Sequence, residues 1–332
     1  MKWYIPTQSA NNHWLESFIP KEKHTFTCIS DDYAHDRSRF KSGSNEWRDF
    51  YHHGVRTFNA AQSDKDRSGI ITFWPQLPAI IGLRNSVTLK KVPILAWSFN
   101  VGNLHYGLRQ KISKFAFKNV SKFMVYSRDE ISKYSEWLDI EPSRFEFVPY
   151  HRHILNTTLE EDKSSPYIIS LGTAGRDYRL YLEVLEALQL PAIIVTGAHA
   201  VAGVKIPKNV KIMSGLTIEQ CYELLQKARF SVTPLANQTT ASGQVTIIDA
   251  MMFSKAQVVS KTPSVSDYLK DQSEALLVDI GDFDGLRNSV ERLWHDDQLR
   301  NSLAQNAHTR MLNEFSDQAV MPQILGILDS FE

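Results

Sequence analysis

The sequence predicts an α/β protein in which strand–helix–strand units on parallel sheets occur in both halves of the chain. Three observations carry this. Short continuous apolar runs, Gly69–Trp74 (GIITFW), Pro93–Phe99 (PILAWSF) and Tyr167–Leu171 (YIISL), fit strands buried on both faces. Segments of helical length separate them, and a strand–helix–strand order implies right-handed crossovers and a parallel sheet. Polar or glycine-bearing turns follow several runs, at the strand ends where α/β proteins hold ligands.

Composition sets the bounds. The 332 residues are 42% hydrophobic, enough for two domains of ordinary size. Lys plus Arg and Asp plus Glu are both 37, so the chain lacks the basic excess of a nucleic-acid binder. The two cysteines, Cys28 and Cys221, are far apart without metal-type spacing, which fits a reducing compartment. The opening residues lack the apolar run of a signal peptide, and no stretch approaches the ~18 apolar residues of a membrane span. The expectation is a cytoplasmic protein, with peripheral contact at the inner face of the membrane left open.

The first half, taken in order, begins with a strand over 2–6. The loop 7–12 leads into a helix from His13, and Asn11, Asn12 and His13 read either as ligand-facing residues or as an ordinary helix cap. A second strand spans 24–30. The stretch 31–49 is polar and aperiodic and reads as a loop over the site. After the strand 69–74 come a helix over 78–89 and the strand 93–99. Asn100 to His105 then lie just past a strand end, where α/β enzymes place chemistry. In Arg109–Phe123, Lys111, Lys114, Lys118 and Lys122 recur at helical spacing beside Ile112, Phe115, Ala116 and Phe123. That is either a core-packed helix with a solvated basic face or a surface that docks on an anionic membrane. A strand over 122–127, a helix over 128–138 capped by Ser127 and a strand over 145–149 complete the half.

The polar, Pro-terminated stretch 157–166 reads as the linker, giving domains over 1–160 and 161–316. Beyond it, the strand 167–171 runs into Gly172–Tyr178, a glycine-containing turn before an amphipathic helix. Arg176 has the guanidinium to hold a diphosphate bidentately, and Asp177 reads as an N-cap. Strands at 192–195 and 210–213 end in turns at Gly197 and at Gly215–Leu216. The strand 230–234 delivers a loop, Thr239–Gln244, into the helix 244–253 and the strand 256–260. Thr240, Ser242, Gly243 and Gln244 leave backbone N–H groups free at a helix start, a ready anion site. Asp249, two turns in, can accept from sugar or ribose hydroxyls. Helices over 283–295, 297–313 and 322–331 end the chain. No G-x-G-x-x-G follows a strand, which speaks against a dinucleotide oxidoreductase.

The segment SGQVTIIDAMMFSKAQVVSKTPSVSDYL resembles the donor-binding signature of GT-B fold glycosyltransferases of family four. Asp249-Ala250-Met251-Met252 and Lys255–Val259 occupy the places of its Glu-Ala-Met-Ala helix and following strand. Of the family's two Glu residues, the second falls on Asp249 and the first on Ala241. The run Ala241-Ser242-Gly243-Gln244 is similar to that of a branch lacking the first Glu. The resemblance covers 165–315. It implies two Rossmann-like domains with parallel sheets facing across a cleft, the first for the acceptor and the second for the donor, with the last helix (317–332) packing back on the first. It also implies Gly172, Arg176 and the 242–244 loop on the donor diphosphate, Gly197 and Leu216 beside the base, and Asp249 on the ribose. His105 falls near the reacting sugar, and Asn11, Asn12, His13 and Asn100 fall on the acceptor side.

The function expected is therefore glycosyl transfer from a nucleotide diphosphate-sugar, UDP- or GDP-linked, to a hydroxyl of a glycan, polysaccharide or lipid-linked acceptor. His105 and Arg176 are the catalytic candidates. The resemblance further implies an enzyme of the hexosyltransferase type, retaining, and without metal or cofactor. Loss of the first Glu at Ala241 keeps a non-catalytic nucleotide-sugar-binding subunit as an alternative, and a sugar-nucleotide epimerase of the same fold is a third.

Overall fold

The computed structural model of the protein describes residues 1–7, 14–33, 44–155 and 159–332. The chain divides into two units, the first comprising 1–36, 41–149 and 321–332 and the second comprising 37–40 and 150–320.

In the first unit the strands are β1 (Lys2–Thr7), β2 (Thr25–Ser30), β3 (Ser68–Thr72), β4 (Ile94–Ala96), β5 (Lys122–Val125) and β6 (Phe145–Phe147). They form one parallel sheet in the order β2-β1-β3-β4-β5-β6. Its register sets Trp3 beside Phe26 and Gly69. Between the strands run α1 (Ser44–Ser63), α2 (Gln76–Ser86), α3 (Leu108–Phe117) and α4 (Arg128–Leu138). β3 and β4 are buried at every position, as their unbroken apolar runs require. The core is aromatic. Phe99 meets Phe117 and Phe123 edge-on at 5.0 and 4.9 Å between ring centroids, and Phe123 stacks on Phe145 at 4.6 Å.

In the second unit the strands are β7 (Ile168–Leu171), β8 (Ala192–Val195), β9 (Val210–Met213), β10 (Phe230–Thr233), β11 (Gln257–Ser260) and β12 (Leu276–Val278). Their parallel sheet has the order β12-β11-β10-β7-β8-β9. The helices are α5 (Tyr178–Leu188), α6 (Ile218–Lys227), α7 (Gln244–Met252), α8 (Pro263–Ser266), α9 (Phe283–His295) and α10 (Asp297–Arg310), followed by α11 (Asp317–Asp329). Residues 321–332 belong to the first unit. There Phe331 lies edge-on to Trp3 at 5.2 Å, and Asp329 accepts from Lys23 and pairs with His24. The α/β class with two parallel-sheet units is thus the one the sequence predicts.

Several elements differ from their expected bounds. Helix α1 replaces the aperiodic reading of residues 44–49 and runs on to Ser63. Its buried face includes His53, Thr57 and Glu46 beside Phe50 and Phe58, so hydropathy alone carries little helical period. β3 stops at Thr72 because Trp74 takes a left-handed backbone, φ 59°. α2 begins two residues before Pro78, which is tolerated in a first turn, and it ends where the Asn85 side chain bonds both N–H and C=O of Val92. The apolar stretch beginning at Arg109 is cut at Phe117, and Phe123 belongs to β5. The passage between units falls at Pro149–Tyr150, ahead of the polar stretch 157–166. The reason is local: Tyr150 N–H already donates to Tyr268 Oη, and Arg152 is zipped to 315–317.

Candidate functional site

A cavity of about 480 Å³ opens in the second unit at the carboxyl ends of β7, β8 and β9, with α6 and α7 along its side. This is where a parallel α/β sheet holds a ligand. Three turns build it, and they are tied to one another. Thr173 Oγ1 accepts from the N–H of Gly197 at 3.0 Å and from Thr196 Oγ1 at 3.2 Å, joining the turns after β7 and β8. The β7 turn is also joined to the loop after β10: Ala236 N–H donates to Gly175 O, Asp177 N–H to Pro234 O, and Ser242 Oγ to Ala174 O.

Glycine is required at two of these places. Gly172 sits at φ 104°, and a Cβ there would lie 2.7 Å from Arg176 Nη2. Gly243 sits at φ 93° and starts α7 without any side-chain cap. Such an uncapped start leaves N–H groups and a partial positive charge facing outward. The expected N-cap role of Asp177 is realised, its carboxylate accepting from Leu180 N–H at 3.1 Å. A capping box between Thr217 and Gln220 fixes the start of α6 at the cavity rim.

Arg176 lies beneath this turn cluster. Its Nε and Nη2 donate to Leu171 O, Nη1 to Ala174 O and Ser242 Oγ, and Nη2 also to Thr246 Oγ1, at 2.9–3.4 Å. The expectation of an open bidentate fork is therefore corrected: all five guanidinium N–H groups already have acceptors in the protein. All of these acceptors are neutral, and no carboxylate pairs with Arg176 among the described residues. Burial presses its pKa downward. The result is an uncompensated positive charge held rigidly beside the start of α7, bracing the two loops that flank the cavity.

Asp249 lines the cavity wall and is only 3% exposed. Its Oδ1 accepts from Arg152 Nε at 2.9 Å and its Oδ2 from Arg152 Nη2 at 3.5 Å. Burial pushes its carboxyl above the usual range, opposed by the Arg152 charge and by a hydrogen bond with Tyr222. The Tyr222 phenol is itself pushed up to about 12, by burial first and then by Asp249. Asp249 thus lines the cavity as a buried member of an ion pair, so it carries structural load as well.

Of the residues singled out in the sequence, Gly172, Gly197, Leu216 and Asp249 line one cavity. Gly243 adjoins it, and Ser242 does so through its bond to Ala174. Gln244 is buried as the first residue of α7, and Thr240 lies in the loop before it, partly exposed. Sequence reasoning missed Thr173, His199, Tyr222, Thr246 and Arg152. Thr173 and Thr246 had a signal in their places beside the singled-out glycines. Arg152 had none, because its partner lies 97 residues away. In the first unit, His105 is exposed and its carbonyl accepts from Trp137 Nε1 at 2.8 Å. Asn100 Oδ1 closes a local turn on Gly102 N–H at 2.8 Å. Asn11, Asn12 and His13 lie outside the described residues.

Residues 198–310 match the family model described as glycosyl transferases group 1, a span that includes all of α6 and α7. A curated relative, the lipopolysaccharide core biosynthesis glycosyltransferase LpsE of Rhizobium meliloti (strain 1021), is 33% identical over 63 residues. That match spans 19% of this chain and 18% of the relative. Among solved structures, Anabaena Alr3699/HepE in complex with UDP-glucose superposes with a TM-score of 0.73 at 12% identity, over 99% of this chain and 100% of that one. Sucrose-phosphate synthase (tll1590) from Thermosynechococcus elongatus superposes with a TM-score of 0.72 at 13% identity, over the whole of both chains. Likeness at that identity is one of fold, and the fold is of the GT-B type.

Proposed function

We propose that the chain is a glycosyltransferase that takes a nucleotide diphosphate-sugar into the cavity of the second unit and transfers the sugar to an acceptor hydroxyl. The observation that carries this is the Arg176 charge, unpaired with any acid among the described residues and set beside the uncapped start of α7. The leaving group of the reaction is a diphosphate, so negative charge develops near this fixed charge and the start of α7, and fixed dipoles and charges beside it lower the barrier. The match of 198–310 to group 1 glycosyl transferases supports the reaction class, and the HepE complexes with UDP and UDP-glucose support a uridine donor.

In this reading the amides of 242–244 and Gly172 meet the diphosphate, Gly197 and Leu216 flank the base, and Asp249 reads the ribose. His105 and Asn100 belong to the acceptor side, with a glycan or lipid-linked hydroxyl as acceptor, a hexosyl donor, retention of configuration and no metal requirement. Titrating UDP, GDP and dTDP by calorimetry, with hydrolysis of UDP-glucose followed alongside, tests it. Saturable binding of one nucleotide with turnover is expected. Tight UDP binding without turnover on any acceptor would instead support a non-catalytic nucleotide-sugar-binding subunit, the reading that Ala241 motivates. Failure of all three nucleotides to bind would overturn the site.

Peripheral membrane contact through 109–123 is favoured by a specific observation. On α3, Leu108, Ile112 and Phe115 follow one another at i, i+4 and i+7 and are 73, 56 and 59% exposed, with Tyr106 just before them at 72%. Only Ala116 and Phe117 of this helix are buried. Arg109, Lys111 and Lys118 flank the apolar ridge, the arrangement of a helix lying in an anionic lipid surface. No helix among the described residues is long and apolar enough to cross a membrane. Salt-sensitive flotation with phosphatidylglycerol vesicles is the expected result, and equal recovery with neutral vesicles would remove the proposal.

A further inference from the structure

We infer that Arg152 is a positioning residue for the ligand cavity, holding the Asp249 carboxylate against the wall so that its remaining acceptor site takes a ligand hydroxyl. The inference rests on the donor reading above and deepens it by naming the residue that aims the acid assigned there to the ribose.

Asp249 reaches the cavity from α7, whereas Arg152 comes from the first residues of the second unit. The backbone around Arg152 is fixed independently of the acid. Its N–H donates to Phe315 O at 3.1 Å, its C=O accepts from Asp317 N–H at 3.1 Å, and it forms a parallel bridge with Ser316. His151 Nδ1 hydrogen-bonds to Asp317 Oδ1 at 2.8 Å, and the Arg152 guanidinium lies over the Tyr150 ring at 5.1 Å. A side chain held from both ends arrives with most of its conformational freedom already lost, so the contact to Asp249 is preorganised.

The chemistry at the carboxylate is divided. A carboxylate offers about four lone-pair sites. Arg152 Nε and Nη2 take one on each oxygen, and Tyr222 supplies a further hydrogen bond. One acceptor site is left on a carboxylate that, with Tyr222, lines the cavity. A single ligand hydroxyl at about 2.7–2.8 Å is the neutral donor that fits it. Burial pushes the Asp249 carboxyl upward and the Arg152 charge opposes that push, so Arg152 both aims the acid and favours its charged form. The Arg152 side chain remains 28% exposed beside a carboxylate that is 4% exposed.

The test compares UDP with 2′-deoxy-UDP by calorimetry on the parent chain, Arg152→Met and Arg152→Lys, with thermal melting measured on each. The parent is expected to prefer UDP by about 10-fold or more, the range for a hydrogen bond to a charged group. Arg152→Met should bring the two ligands to within about 2-fold, and Arg152→Lys should restore part of the preference, since it keeps the charge without the fork. A lower melting temperature with an unchanged preference would show that Arg152 is only structural and would overturn the inference. A parent that binds UDP without any preference for the ribose would overturn it as well, while leaving the donor reading in place. A parent that binds neither UDP nor GDP would sink the donor reading and the inference with it.

Discussion

The two units have the same architecture, six parallel strands with helices between them, yet they finish their strands differently. In the second unit the turns after β7 and β9, and the start of α7, place glycine in the left-handed region at Gly172, Gly175, Gly215 and Gly243. In the first unit the exits from β3 and β4 put Trp74 and Ser98 there, at φ 59° and 54°, with Gly102 at 73° further along. A left-handed non-glycine residue costs on the order of 1–3 kcal/mol and presents a side chain rather than bare backbone. Glycine turns let backbone amides approach a ligand, and the cavity of about 480 Å³ in the second unit opens onto such turns. The comparison shows that the sheet supplies a place for a site, while the turn chemistry decides whether backbone or side chains meet what binds there.

The sharpest way to break that contrast is Gly172→Val. It demands a left-handed β-branched residue whose Cβ would lie 2.7 Å from Arg176 Nη2. A loss of about 2–5 kcal/mol is expected in denaturant unfolding, with loss of nucleotide binding. Unchanged unfolding would mean the turn is not held as described. Next is Asp249→Asn, which strips the Arg152 charge of its partner. Because Arg152 is partly exposed, the full penalty of a buried broken pair is discounted to about 1–3 kcal/mol. A melting temperature equal to the parent's would remove the ion pair from the account of this wall.

The second unit also contains a buried cation that the first does not match among the described residues. Lys255, between α7 and β11, donates to Ala228 O at 2.8 Å, and burial lowers its pKa to about 8. The folded chain therefore binds this proton less readily than the unfolded chain does, whose value is near 10.5. Stability is lowest below pH 8 and rises from about pH 8 to 10.5, with a slope of up to roughly 1.4 kcal/mol per pH unit from this group. Comparing urea midpoints of the parent and Lys255→Met across that window should show the rise only in the parent. Smaller still is Thr217→Ala at the α6 capping box, for which about 1 kcal/mol is expected. A cost indistinguishable from zero would mean that the cap is frayed in solution. At the far end, Ile112→Ser with Phe115→Ser should leave stability within about 0.5 kcal/mol while abolishing vesicle binding. A large destabilisation would show that the α3 ridge is packed rather than exposed.

What was legible in the sequence follows the same division. Strands buried on both faces announced themselves as apolar runs at 69–72, 94–96 and 168–171, and the loop into α7 carried its glycine openly. Helix α1 was hidden because His53 and Thr57 point into the core, where His53 Nε2–H donates to Ile29 O and Nδ1 accepts from the Tyr33 hydroxyl. The α3 stripe misled in the opposite sense, since periodicity shows that one face is apolar and not whether anything covers it. Arg152 was beyond reach, because an ion pair between residues 152 and 249 exists only once β7 to β11 have assembled and leaves no local pattern.

The strand order of the second unit has a consequence for how it forms. β7 pairs with β8, Ile168 beside Ala192, and on its other edge with β10, where Ile168 lies beside Phe230. The first pairing closes a short loop and the second a much longer one, so the second carries the larger entropy cost and is the later event on topological grounds. A chain that has paired only β7, β8 and β9 has the turns at Gly172 and Gly197, but the loop ahead of α7 has not yet arrived against them. On the donor reading proposed above, anion affinity would appear only when the long-range half of the sheet docks, and a nucleotide added during refolding would stabilise the completed unit without accelerating the steps before it.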